Sequence, residues 1–473
     1  MHLRPVLAPA LACLLVVPFA VANAEQAAAP LPAGAGVPGA LAEGTGTNLT
    51  PVANISYGGG TDLEFATVPD ADGEDREYAV APSESDGGTY EDAGLRLIDI
   101  TDPKAPAVVG FLPCSVSQND VQVVGTTVYM GVDYDQRATE CFEQLEITPA
   151  TGLFAIDISD PTKPTAIGFV PVKLGVHNST VHPSGDYVYV SDSELVPANS
   201  EPNGRKTGRI QVLDVRNPAD MKEVFVLGLP SGLSSHDVDF NAAGTRAYSA
   251  ALTQTVILDT TDPAKPSIKT TILDPAINIS HGADLSPDET HLYVTDEQAG
   301  AAGNGVCNVG GVHIYDLANE AVPVKTGYYA FSPADSLTST TNNGNLTCTA
   351  HVLDYGPTGT TFSNAGYAAG VRIVDTTGRV GLPKELASFT PVDADTWSAK
   401  QHKDPRFLFS NDLKRGFDVY EYDPDLGAVD TRADFQKRMG IFRVGSTAFG
   451  PGAWCGNPKG TDLLDHHAEA LLG

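Results

Sequence analysis

Six times along this chain a short strand of the form Gly-apolar-x-apolar-apolar-Asp recurs or nearly recurs, and a degenerate seventh copy follows. The copies read Gly94-Leu-Arg-Leu-Ile-Asp99, Gly152-Leu-Phe-Ala-Ile-Asp157, Arg209-Ile-Gln-Val-Leu-Asp214, Gln254-Thr-Val-Ile-Leu-Asp259, Gly311-Val-His-Ile-Tyr-Asp316, Gly370-Val-Arg-Ile-Val-Asp375 and Gly416-Phe-Asp-Val-Tyr-Glu421. The third and fourth lack the leading glycine. Successive copies lie 45 to 59 residues apart. That period is the size of one supersecondary unit, and a unit of this size buries its faces only against its neighbours. One large repeat domain therefore replaces the two or three domains that 473 residues would otherwise suggest.

Alternating apolar residues and turn residues divide each unit into four strands. The fourth unit shows the division well. Its innermost strand is His236-Asp-Val-Asp-Phe240, a turn follows at Asn241-Ala-Ala-Gly244, and the remaining strands are Arg246-Ala-Tyr-Ser-Ala250, Val256-Ile-Leu-Asp259 and Ser267-Ile-Lys-Thr-Thr-Ile272. Seven such sheets in a ring cover every face and leave only short, protected edges. The expected fold is all-β, a seven-bladed β-propeller with four-stranded blades. The last unit has no outer strand of its own after Tyr422, whereas Pro51-Val-Ala-Asn-Ile-Ser-Tyr57 is a strand without a unit. The simplest closure uses this N-terminal strand. Ile441-Phe-Arg-Val444 is the rival from the C-terminal side.

Residues 1–24 carry Arg4, an apolar run from Val6 to Val21 and the small-residue site Ala22-Asn23-Ala24, which together read as a signal peptide. The expected product is secreted, with retention at the cell surface left open. Residues 25–47 are rich in Ala, Pro and Gly and are expected to form a flexible linker. The propeller is assigned to 48–430 and a C-terminal extension to 431–473. No later stretch is long and apolar enough to cross a bilayer. The formal net charge of −30 is dispersed over the chain and opposes nucleic-acid binding. Export favours disulfides, and local spacing pairs Cys114 with Cys141 and Cys307 with Cys348, leaving Cys455 over.

Strands reading Leu-Ile-Asp-Ile or Ile-Val-Asp, followed by Asp-Pro and a second Pro as in Ile100-Thr-Asp-Pro-Lys-Ala-Pro106, resemble the LVIVD-repeat propellers of secreted bacterial proteins. The resemblance covers roughly residues 49–422. It implies architecture and names no chemistry, because fold alone does not carry function.

Aligned on the second strand, four consecutive units place a histidine at the start of the innermost strand: His177, His236, His281 and His351. Three of them precede Tyr189, Tyr248 or Tyr293 by twelve residues, and the fourth precedes Phe362 by eleven. Thr61, Asn119 and Trp397 occupy this position in the other units. Residues at one register on successive inner strands form a ring around the propeller axis, so four imidazoles are expected to converge. Imidazole suits iron, copper or zinc. Repetition of one ancestral histidine for a structural hydrogen bond would give the same pattern. The carotenoid-cleaving and selenium-binding propellers are similar in fold class and in having channel histidines.

Long loops after the second strand, at 83–93, 133–151, 191–208 and 296–310, emerge beside these histidines, and long loops on one face of a rigid ring commonly carry function. Asp133, Asp192, Glu194, Asp296, Glu297 and Asp412 end second strands on that face. Asn119, Asp133, Asp192 and Asp296 are the candidates to orient the imidazoles, and the carboxylates could instead bind calcium. The aspartates that close the third strands are expected to be structural, accepting amides of the following turn. Hydrolase, kinase, protease and dehydrogenase motifs do not occur. The expected function is a monomeric binding module for a small molecule or protein at the loop-rich face, whose four-histidine cluster either holds a metal or is structural. The alternative is a metal-dependent oxidoreductase or lyase acting on a small organic substrate there.

Overall fold

The structure is a computed structural model that describes residues 34–70, 72–84, 93–134, 138–191, 208–229, 234–297, 310–329, 331, 349–377 and 383–426. Seven antiparallel sheets follow one another around a ring. In blade 4 the strands run outward as Asp237–Phe240, Arg246–Ala251, Gln254–Asp259 and Ser267–Leu273. Each third strand is one of the sequence repeats. Alternate residues of that strand pack against one neighbouring blade and then the other, so almost the whole repeat is buried.

The repeat's punctuation has a direct structural cause. Asp99, Asp157, Asp214, Asp259, Asp316 and Asp375 each accept the amide of the residue two positions on, at 2.7–3.2 Å, which closes the turn into the outer strand. The following proline turn of one blade lies on the outer strand of the blade before it. Side chains at Gly110 and Gly168 would collide with the carbonyls of Pro161 and Pro218. The outer strands meet the third strands through a β-bulge at the same place in six blades, for example between Ile257 and Leu258.

Closure uses the N-terminal strand. Leu49–Ser56 pairs antiparallel with Gly416–Tyr422, with Ile55 opposite Phe417, and becomes the outer strand of blade 7. Ala53 and Ile55 join Phe417 and Val419 of blade 7 and Leu63, Ala79 and Ile98 of blade 1 in one buried apolar cluster. The rival segment Ile441–Val444 lies outside the described residues, as do residues 1–33, His466-His467 and Cys455.

The expected linker needs correction at its C-terminal end. Val37–Pro38 pairs with the closing strand, and Gly44–Thr47 pairs with Lys384–Pro391, the outer strand of blade 6. Such pairing needs backbone groups and close approach rather than large apolar side chains. Side chains at Gly44 and Gly46 would strike the carbonyls of Thr390 and Ser388. Arg96, fully buried between the rings of Tyr57 and Phe111, donates to the carbonyls of Gly34 and Ala35 and holds the start of this segment.

The Cys114–Cys141 disulfide is present, with Cα atoms 5.5 Å apart, and ties the short helix Glu140–Gln144 to the end of blade 1. Cys307 and Cys348 lie outside the described residues. Among the described residues, no helix is long and apolar enough to cross a membrane.

Candidate metal centre

The inner strands bring all four histidines to one level of the ring. The backbone amides of His177, His236 and His351 bond to the carbonyls of Ser191, Ala250 and Ala365, at the ends of their own second strands. That shared register sets a common height for these three, and His281 stands in a bulge between Ser280 and Ala283. The four rings follow one another in contact, the first pair edge to face and the next two tilted, with centroids 4.4, 4.2 and 4.0 Å apart from His177 through His236 and His281 to His351. Each is at most 6% exposed. Thr61 and Asn119 complete the opposite arc and hydrogen-bond to each other, and Trp397 stands 4.8 Å from His351.

Two imidazoles have their orientation set from behind. Asp133 Oδ2 lies 3.1 Å from His177 Nδ1, and the Trp397 carbonyl lies 2.7 Å from His351 Nδ1. A carboxylate and a carbonyl can only accept, so both Nδ1 atoms are protonated, and in the neutral form of each ring the Nε2 lone pair turns inward. Burial opposes a charge on His177, but the Asp133 hydrogen bond and charge outweigh it and raise its pKa. Burial dominates at His351 and lowers its pKa. Between these two neighbours in the ring, His177 Nε2 lies 3.1 Å from His236 Nε2.

Glu297 supplies the carboxylate that faces these nitrogens. Its Oε2 lies 3.8 Å from His236 Nε2 and its Oε1 lies 3.8 Å from His351 Nε2. Ligand atoms of His236, His281 and Glu297 all lie within 4.8 Å of one another. The cavity they share encloses about 30 Å³ and is also lined by Asp62, Gln118, Asp120, Tyr367 and Trp397.

Of the residues expected to support the ring, Asp133 does so directly. Asn119 occupies a ring position and bonds to Thr61 and the Val116 carbonyl without touching an imidazole. Asp296 is displaced from the expected role: its carboxylate accepts the amides of Asn278 and Ile279 and lies 3.7 Å from His313 Nε2. It holds the segment leading to His281, while its neighbour Glu297 takes the position at the imidazoles. Asp192 and Glu194 lie outside the described residues. The acidic turn at Asp70 accepts its own amides of Asp72 and Glu74, and Asp412 accepts those of Asp395, Lys414 and Arg415, so neither carboxylate is turned to an ion.

Below the ring, carboxylates of the inner strands cap the otherwise unpaired edge amides of the next blade. Asp62 accepts Val121 N, Asp120 accepts Ser179 N and Asp239 accepts Leu285 N. Lys400 answers Glu64 at 2.5 Å. Burial raises Asp237 and Asp354 to about 7 and Asp239 to about 6.

The LVIVD repeat family model matches residues 150–171, which form the third strand Gly152–Asp157 and outer strand Thr165–Pro171 of blade 2. Among solved structures, a β-propeller domain from Myceliophteria thermophila is similar at a TM-score of 0.50 and 11% identity, covering 79% of this chain and 100% of that one. The periplasmic gluconolactonase of Pseudomonas aeruginosa is similar at 0.49 and 13%, covering 75% and 96%. At such identities the likeness is one of fold. None of the curated proteins matches the sequence.

Proposed function

From a chain that carries an LVIVD repeat on a seven-bladed propeller, we propose an exported binding module whose axial histidine ring holds one transition-metal ion. The observation that carries this reading is the convergence of imidazole nitrogens: His177 Nε2 meets His236 Nε2, and the Nε2 atoms of His236 and His351 both face Glu297. Two imidazoles on one ion at 2.0–2.1 Å have nitrogens about 2.9–3.4 Å apart, depending on the bond angle. The 3.1 Å between His177 Nε2 and His236 Nε2 falls in that window. Imidazoles with one carboxylate oxygen suit iron, copper or zinc and are poor donors for calcium, which takes six to eight oxygens.

The cavity at the ring is large enough for an ion. A water needs roughly 10–15 Å³ of such space, so about 30 Å³ accommodates an ion with one or two small ligands. The loop-rich face beside the histidines is the surface we propose for other partners, and the leader read in residues 1–24 supports export. The test is elemental analysis of untagged protein purified from its own host. Near one equivalent of a transition metal is expected, and a metal-free protein that also fails to take up zinc or cobalt overturns the proposal.

A further inference from the structure

The Glu297 carboxylate accepts one hydrogen bond among the described residues, from the hydroxyl of Tyr367 to Oε1 at 2.5 Å. Tyr367 comes from a different blade, in the turn Ala365-Gly-Tyr-Ala-Ala-Gly370 between the second and third strands of blade 6. Its backbone φ of +48° is unusual for a residue with a side chain. The conformation itself recurs at Leu252 in blade 4, with φ of +57°. Both residues form a bridge to the inner strand of the next blade, Leu252 with Ser280 and Tyr367 with Thr396. The turn is therefore part of the repeat, and what distinguishes this copy is the phenol placed on it.

The phenol is held closely. Tyr367 exchanges both backbone hydrogen bonds with Thr396, at 3.0 and 3.1 Å, and its ring packs 4.6 Å from His351 and 6.0 Å from Trp397. Trp397 in turn receives His351 Nδ1. One short segment of blade 7 thus sets the position of the phenol and of one imidazole together. A carboxylate only accepts, so the phenol is the donor of the bond to Glu297.

We propose that Tyr367 is a positioning residue of the centre: by occupying Oε1 it fixes Glu297 so that a single carboxylate oxygen, Oε2, is presented to a divalent ion held by the imidazoles. This rests on the metal reading above. It adds a preference, because one oxygen beside imidazoles favours divalent zinc, cobalt or iron, whereas copper(I) gains little from a carboxylate. Residues that orient ligands typically change metal affinity 10–100-fold when altered.

The test is cobalt(II) titration, read by visible absorption, of the full chain and of Tyr367→Phe, Glu297→Gln and the double variant, with copper(I) competition in parallel. Tyr367→Phe keeps the ring packed and removes only the hydroxyl. It is expected to bind cobalt(II) 10–100-fold more weakly with a changed absorption spectrum, at unchanged copper(I) affinity. The double variant is expected to bind no worse than Glu297→Gln, because the phenol acts through that carboxylate. Unchanged cobalt affinity and spectrum in Tyr367→Phe overturns the proposal, as does a further loss in the double variant, which would make the phenol a ligand. If the parent chain binds no cobalt that His236→Ala with His281→Ala abolishes, the metal reading fails and this proposal with it.

Discussion

His177 Nε2 and His236 Nε2 lie 3.1 Å apart, although the two side chains come from inner strands of different blades and are 59 residues apart in sequence. With Asp133 taking the proton on His177 Nδ1, the pair either shares one hydrogen bond or directs two lone pairs at a common ion. Binding and proton content are thereby linked. The raised pKa of His177 keeps an extra proton on this pair in the metal-free ring, so metal uptake is expected to release it, and weakly buffered titration in a pH-stat measures the release. Binding without proton release would show that the pair holds no extra proton before the metal enters.

The N-terminal segment makes a graded prediction. Removing residues up to 47 takes away two short strand pairings and the carbonyls that satisfy the buried Arg96. Removing residues up to 56 also opens blade 7. Nested truncations should show a moderate fall in melting temperature and then a large one, with association appearing in the second because sheet edges are exposed. Equal melting temperatures for both truncations would contradict this.

The disulfide predicts a stability effect of definite size. Cys114 and Cys141 are 27 residues apart, and closing a loop of that length restricts the unfolded chain by about 3–4 kcal/mol. Guanidinium unfolding of Cys114→Ala with Cys141→Ala should show a midpoint lowered accordingly. An unchanged midpoint would mean that the bond contributes nothing to the ring.

The channel acids give a pH dependence. Asp237 and Asp354 titrate at about 7 and Asp239 at about 6 in the folded protein, above the ordinary aspartate value of 3.8. Between those values the folded state binds more protons than the unfolded state, so stability falls as pH rises. This contribution is complete below about pH 4 and lost through pH 6–7. These side chains are partly exposed, so the effect is well under the ~1.4 kcal/mol per pK unit of a dry group. Metal-free protein should melt higher at pH 5 than at pH 8, and Asp237→Asn with Asp354→Asn should flatten the difference. A melting temperature that rises towards pH 8 in the parent would contradict it.

Most of the ring was legible because it rests on repetition. Third strands buried on both sides kept an apolar pattern, and their terminal aspartates kept a turn to close. The histidines stood out because the inner strands share one register against their second strands. What was not legible depended on phase or on backbone. Asp296 and Glu297 are adjacent at a strand end, and which of them faces the axis follows from the local twist and not from residue type. Tyr367 sits in a left-handed turn whose direction no strand pattern reveals. Residues 34–47 pair through amides and glycines, which leaves no apolar signature.

The most direct test of the central claim is an anomalous-scattering map from crystals of the protein soaked in zinc, collected on both sides of the zinc edge. The account predicts one strong peak about 2.0–2.1 Å from imidazole Nε2 atoms of the ring, with Glu297 beside it. A ring that stays empty while zinc binds elsewhere, or His236 and His281 bonded to protein groups with no ion between them, would contradict it.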